Sequence, residues 1–221
     1  MINSIKSVIV IGATGLVGKH LLNMLNASEN CHKITAIVRS ENLELKNLKK
    51  VHQIVLSDFF SLDQTHLDEY THAFSCLGTT IKKAGSKENF YKIDYEINFH
   101  FAKLFQNTET HYLLISALGA NPKSKIFYNQ VKGQLELDIQ KLQLSKISII
   151  QPSLLLGERH EQRVLEDFTQ KLYLKFSHLV PDSFKYKPVT AEQVAHTMVE
   201  AACNQTEKVK IYDNLALHKT K

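Results

Sequence analysis

The chain has 221 residues, 43% of them hydrophobic and 22% charged, the make-up of a globular protein with enough length for one sizeable core and no apolar run long enough to cross a bilayer. Its net charge of +5 comes almost wholly from lysines. Apart from a group at Lys82, Lys83, Lys87 and Lys92 these are spread out and not interleaved with aromatics, which argues against nucleic acid as a partner and for a solvated surface or an attraction to phosphate-bearing ligands. Cys31, Cys76 and Cys203 are far apart and the 11 histidines are scattered, so neither a disulfide framework nor a metal centre is expected.

The first element is "SVIVIG" (7–12), a continuous apolar run rich in β-branched residues and closed by glycine, which predicts a fully buried parallel strand. The segment before it has no secretory apolar region, and a cytosolic location is expected. "LVGKHLLNMLN" (16–26) has apolar residues at 17, 21, 22 and 25, the spacing of a helix. Strands follow at 33–39, 51–57 and 71–78, then a polar, helix-compatible stretch over about 87–107. A fifth strand is expected at 111–116, a helix at 127–142 and a sixth strand at 146–152. This alternation predicts an α/β fold with a doubly wound parallel sheet of the Rossmann type, whose ligands sit beyond the carboxyl ends of the strands.

After Pro152 the rhythm breaks. An amphipathic helix is expected over 157–176, a loop over 180–189, a helix over 190–203 with Thr190 as N-cap, and a final short strand in "KVKIYDN". The whole of 1–221 reads as one nucleotide-binding domain, with 157–190 as a small substrate-side lid.

Between the first strand and the first helix lies "GATGLVG", with Gly12, Gly15 and Gly18 three residues apart. Glycine permits the tight turn, the approach of a pyrophosphate to the backbone and close packing of helix on strand. The helix-start N–H groups of this loop, from Thr14 through Leu16 and Val17, would hold the phosphates. The alternative is a packing turn without a ligand.

The G-x-x-G-x-x-G spacing resembles that of extended and atypical short-chain dehydrogenases/reductases. "CLGTTIKKAG" (76–85), "FYNQVKG" (127–133) and "LVPDSF" (179–184) make the chain similar, over essentially its whole length, to the Tat-interactive protein branch of the atypical group. The resemblance implies a nicotinamide cofactor and a Ser-Tyr-Lys catalytic group. Arg39, with Ser40 beside it, stands at the end of the second strand, where an acidic residue would select NAD. An arginine there suits the 2′-phosphate of NADPH, although it could simply reach into solvent from a strand end. NADP(H) is therefore expected in preference to NAD(H). Asp58 and Phe59 occupy the position of the family's adenine contacts, and Cys76, Leu77, Gly78 and Thr79, with Thr80 next, that of the ribose and phosphate contacts. Cys76 itself reads as a small hydrophobe and not as a nucleophile.

Ser116, Tyr128 and Lys132 match the catalytic segment. Tyr128 and Lys132 are four apart and share a helix face. Tyr128 would move the proton, Lys132 would favour the phenolate and hold the cofactor ribose, and Ser116 would polarise the substrate oxygen. The alternative is a packed tyrosine and a solvated lysine. Gly119 completes an S-x-x-G pattern with Ser116. Pro152 and Ser153 resemble the turn that borders the nicotinamide, but the arginine that often precedes this proline in relatives is Gln151 here. The asparagine that completes a tetrad in many relatives has no clear counterpart.

Two functions fit these residues. One is an NADPH-dependent oxidoreductase acting on a small carbonyl or alcohol. The other is a regulatory NADPH-binding sensor that works through protein partners with little or no catalysis. Sensors of this superfamily commonly lack the tyrosine, so its presence favours the enzyme. No nucleic acid or membrane is expected as a partner, and the protein would act as a monomer or homodimer on a small-molecule substrate.

Overall fold

The computed structural model describes residues 4–67, 70–156 and 184–219. β1 (Ser7–Ile11), β2 (Lys33–Val38), β3 (Val51–Val55), β4 (His72–Ser75), β5 (His111–Ile115), β6 (Lys146–Ile150) and β9 (Val209–Tyr212) form one sheet in the order β3-β2-β1-β4-β5-β6-β9. Every pairing in it is parallel. The chain winds outward from β1 to β3, returns to β4 beside β1, and winds outward the other way. That reversal opens a crevice between the carboxyl ends of β1 and β4, the place where doubly wound sheets take ligands. The expected fold class is therefore present.

The inner strands β1, β2, β5 and β6 are mostly apolar because both faces are covered. Along β1, Val8 and Val10 pack with Leu21, Leu22 and Leu25 of α1 (Leu16–Ala27) and with Val194 and Met198 of the last long helix, Ala191–Asn204. Ile9 and Ile11 pack on the other face with Phe101, Phe105, Leu135 and Ile139. Each such side chain is worth about 1.5–3 kcal/mol of burial, so the alternation on β1 alone ties both helical layers to the sheet. The helix at 191–204 starts at a reciprocal cap: Thr190 Oγ1 accepts from Gln193 N (3.1 Å) and Gln193 Oε1 accepts from Thr190 N (2.9 Å).

Several short elements leave no periodic trace in the sequence. α2 (Leu43–Lys46) crosses from β2 to β3, and α3 (Ile81–Ala84) follows β4. β7 (Leu155–Leu156) and β8 (Val189–Thr190) form a separate two-residue parallel pair. The polar, helix-compatible stretch over about 87–107 is α4 (Lys87–Tyr91), a π-helical turn (Lys92–Glu96) and α5 (Ile97–Lys103). α6 (Phe127–Gln140) tolerates Gly133 for a local reason. A Cβ there would come within 2.3 Å of the Asn121 backbone, so the loop after β5 lies directly on the helix. Following α7 (Ala191–Asn204), α8 (Asn214–Lys219) ends the described chain. Its Asn214 is fully buried, accepts from Ser153 N (2.8 Å) and donates to the carbonyls of Lys185 (3.0 Å) and Lys187 (2.7 Å). The helix expected over 157–176 and the lid expected over 157–190, up to residue 183, fall outside the described residues.

At the amino ends of β4 and β5 the core is polar. His72 and His111 are register partners with ring centroids 5.4 Å apart, and both are buried. His72 Nε2 meets the Ala202 carbonyl (3.1 Å). Ser148 gives its hydrogen to Gln205 Oε1, so it accepts from His111 Nε2 (2.7 Å), which leaves His111 Nδ1 unpartnered. Burial holds the pKa of His72 down to about 4 and that of His111 to about 3.

In the unfolded chain both imidazoles take up protons near their ordinary value, and in the folded chain they do not until far lower pH. The unfolded state thus binds more protons over this window, and stability falls as pH drops below about 6.5. Each histidine should cost roughly 1.4 kcal/mol per pH unit, down to about pH 4 for His72 and pH 3 for His111. Urea unfolding at a series of pH values should show this slope. His72→Phe should flatten it whatever it does to absolute stability, and an unchanged slope would count against the assignment.

Candidate functional site

The residues expected to bind a cofactor gather at the carboxyl edge of the sheet. Gly12 ends β1 with a positive φ of 73°, and a Cβ there would fall 2.4 Å from the Cys76 carbonyl carbon. The β1 turn and the end of β4 therefore touch through backbone. Gly15 is the N-cap of α1, in an extended conformation and with no side-chain cap. A Cβ on it would meet only Gly12 O (3.1 Å) and Cys76 O (4.0 Å). The helix start beside the exposed Thr14 and the half-buried Leu16 is thus open to an anion, with first-turn N–H groups and the helix dipole to bind it. Val17 and Gly18 are buried and belong to the packing of that turn.

Arg39 and Ser40 are exposed just past β2, and among the described residues Arg39 has no ion-pair partner. Asp58 caps the short turn Phe59–Ser61 by accepting from Phe60 N (3.1 Å). Phe59 points into the core and is 8% exposed, so only its backbone borders this edge. Cys76 lies against Met198 at 4.0 Å between sulfurs, and burial pushes its thiol up to about 12, in keeping with a packing role. Pro152 accepts from Leu118 N (2.8 Å) through its carbonyl, and Ser153 Oγ donates to the Lys187 carbonyl (2.7 Å). The turn after β6 is thereby fixed from two sides.

Ser116 follows β5 and is buried, 4% exposed, and its N–H continues the sheet by donating to Ile150 O (2.8 Å). Tyr128 and Lys132 lie on α6. The Tyr128 ring packs on the buried Phe90 of α4 with centroids 5.4 Å apart, and its hydroxyl has no hydrogen-bond partner among the described residues. Lys132 is 3% exposed and is no solvated lysine. Its Nζ stands 2.7 Å from Asp94 Oδ1. The other carboxylate oxygen of Asp94 accepts from Thr79 N (2.9 Å). Gly78 makes room for this contact, since a Cβ would come within 3.2 Å of Asp94 Oδ1 and 3.5 Å of Lys132 Nζ.

Three buried polar residues join the expected ones. Asp94 and Asn98 come from the π-helical turn and the helix after it, and both are 0% exposed. The wider π-turn adds a residue to the helical path and so rotates Asp94 inward. Asn98 Nδ2 donates to Ile93 O (2.9 Å), and Asn98 Oδ1 accepts from Ser75, which binds the π-turn to the end of β4. Glu136 sits one turn beyond Lys132 and is 6% exposed. Gln151 Nε2 lies 3.0 Å from each of its carboxylate oxygens.

Burial pulls the pKa of the Lys132 ammonium down. Asp94, then Tyr128 and Glu136, outweigh that cost and hold its pKa above the ordinary value. For Glu136 burial wins and raises the carboxyl, while Ser116, Gln151 and Lys132 pull it the other way. The Lys132 ammonium is thus held beside Asp94 as a buried ion pair.

Asp94→Asn should leave the ammonium buried without its counter-ion and destabilise the fold by about 3–5 kcal/mol. Asp94→Asn combined with Lys132→Met removes both charges and should cost clearly less than Asp94→Asn alone. Denaturant midpoints of the two variants check this, and a double variant no more stable than Asp94→Asn alone would remove the coupling.

The HIM1 family model matches residues 20–189. Among curated proteins, the chain is 35% identical over 215 residues to "Protein FMP52-1, mitochondrial" of Scheffersomyces stipitis, covering 94% of this chain and 95% of that one. It is 38% identical over 166 residues to "Protein FMP52, mitochondrial" of Candida albicans, covering 72% and 71%. Among solved structures, the Bordetella bronchiseptica enzyme WbmF in complex with NAD+ superposes with a TM-score of 0.65 at 13% identity, covering 98% of this chain and 77% of that one, a likeness of fold. The relatives' mitochondrial names overturn the expected cytosolic location. That expectation rested on the lack of a secretory apolar segment, which bears on export and not on delivery to an organelle. The names are those of a mitochondrial family and do not specify the Tat-interactive branch to which the sequence motifs point. With more than half of its length matched by the model and nearly all of it aligned with a relative at 35% identity, the chain belongs to the HIM1 family.

Proposed function

We propose that the protein is an NADPH-dependent oxidoreductase that reduces a small carbonyl compound, or oxidises the corresponding alcohol, by a Ser-Tyr-Lys mechanism of the atypical short-chain dehydrogenase/reductase type. The observation that carries this reading is Lys132. It is buried, charged and fixed by Asp94 on the same helix face as Tyr128, at the sheet edge that also holds the open glycine turn. A lysine kept charged inside the protein is costly unless it has work at that place.

A bound nicotinamide cofactor supplies or accepts the hydride. Ser116 donates to the substrate oxygen, Tyr128 moves the proton to or from it, and Lys132 holds the cofactor's ribose. Gly15 and the start of α1 take the pyrophosphate, and Arg39 takes the 2′-phosphate. Asp58, the backbone of Phe59, and Cys76 to Thr79 border the nucleotide, with Pro152 and Ser153 at the nicotinamide end. The relatives' names support a mitochondrial location for this chain. The protein would work as a monomer or homodimer on a small-molecule substrate.

The likeness to the Tat-interactive branch keeps the sensor reading as the second one. In it the same site binds NADPH and reports to a protein partner. The free Tyr128 hydroxyl favours the enzyme.

Calorimetric titration should show tighter binding of NADPH than of NADH. Arg39→Asp should reverse the order, because a carboxylate repels the 2′-phosphate and accepts from a free 2′-hydroxyl. Equal affinities in the unmodified protein would remove the assignment to Arg39. Gly15→Val should abolish binding of both nucleotides with the fold retained, since its branched side chain fills the open side of the turn.

Tyr128→Phe should keep NADPH affinity and lower turnover of an active carbonyl substrate by about a hundred- to ten-thousand-fold. Unchanged turnover would refute the proton-transfer role. Tight NADPH binding with no turnover across a broad carbonyl screen would favour the sensor.

A further inference from the structure

The net charge of the chain is not spread evenly over the fold. The segments at the carboxyl ends of β4, β5 and β6 carry seven lysines and one acidic residue. Lys82, Lys83 and Lys87, with Glu88, stand between β4 and the end of α4, and Lys123 and Lys125 stand between β5 and α6. Lys185 and Lys187 belong to a segment tied to the turn after β6, where the Lys187 carbonyl accepts from Ser153 Oγ (2.7 Å). The whole chain has 27 basic and 22 acidic residues, which leaves 20 and 21 for everything else. The excess of +5 therefore sits at one edge of one half of the sheet.

The anionic groups of a nicotinamide cofactor do not account for it. In the reading above, the pyrophosphate meets the start of α1 and the 2′-phosphate meets Arg39, both on the β1–β2 side of the reversal in strand order. The lysines lie on the other side, around the place given to the substrate. Lys82, Lys87, Lys123, Lys125 and Lys185 are exposed and form no ion pair among the described residues. Like charges gathered round one opening repel each other, and an anion that enters it relieves the repulsion.

Lys87 has a defined place in this group. Its Nζ lies over the ring of Phe127, 5.2 Å from the centroid. Phe127 and the next residue, Tyr128, both pack on the buried Phe90, with centroids 6.0 and 5.4 Å away. One aromatic group thus carries both the ammonium and the phenol that is to move the proton. A ring face steadies an ammonium without neutralising it, so the charge stays available to a carboxylate or phosphate.

We propose that the substrate is an anion, a carbonyl compound or the corresponding alcohol that carries a carboxylate or a phosphate, and that Lys87 is the specificity-determining residue that pairs with this group. This rests on the oxidoreductase reading above. The other lysines of these segments draw the anion in from solution, and Lys87 holds its charged end while Tyr128 serves its carbonyl oxygen.

Matched aldehydes test this on the full chain. One pair is succinic semialdehyde and its methyl ester, and the other is glycolaldehyde phosphate and glycolaldehyde. With NADP+ bound there is no hydride to give, so calorimetric titration reads binding alone. At least one anionic member should bind about tenfold more tightly than its neutral partner, and the pair that shows this tells carboxylate from phosphate. Lys87→Gln should remove most of the preference and Lys87→Arg should keep it. Added salt should weaken binding of the anion and not of its partner. A preference in neither pair, or one that Lys87→Gln leaves intact, would overturn the proposal. With NADPH in place of NADP+, the same preference should appear in KM. A preference that depends on Lys87, with no turnover of any aldehyde, would support the anionic ligand and count against the oxidoreductase reading alone.

Discussion

The ion pair between Lys132 and Asp94 is the constraint on which the arrangement of the site depends. It joins α6 to the π-turn, and through Thr79 N it reaches the segment after β4. Its two members are almost fully excluded from water, so neither can leave without uncovering the other. Gly78 is small because the pair needs the space, and the π-turn exists at the one place where an inward carboxylate is required. An exposed lysine samples many rotamers, whereas the head of Lys132 is fixed in place by the pair.

Most of the sheet was legible in the sequence because parallel strands buried on both faces are written as unbroken apolar runs. β1, β2, β5 and β6 stand within a residue or two of where those runs predict them. The edges were legible for a different reason: Thr190 with Gln193, and glycine at 12 and 15, are local signals that need no tertiary context. The two-residue pair β7 and β8 could not be read, since two residues carry no period.

The site was legible only in part. Ser116, Tyr128 and Lys132 could be named from spacing, but their surroundings could not. Asp94 lies in a polar run that reads as an ordinary exposed helix, and only the π-turn, an irregularity with no sequence period, turns it inward. Glu136 did leave a signal, being four residues after Lys132 and so on the same helix face, but a carboxylate on a helix surface is usually solvated. It is buried beside Gln151 at the end of β6, a contact no sequence spacing announces. Phe59 shows the reverse case. Its position at a strand end suggested a ligand contact, and its ring is committed to the core.

The contacts of Asn214 tie one side of the site to the last helix of the described chain. The glycine turn is closed by a bond between near neighbours in sequence, Gly15 N donating to Gly12 O (3.0 Å). The turn after β6 is held by a side chain that follows it by 61 positions. The loop at 152–153 is therefore pinned in part where that helix docks. Loss of the helix would release this hold on the loop and on the carbonyls of Lys185 and Lys187, while the turn between β1 and α1 keeps its own local bonds.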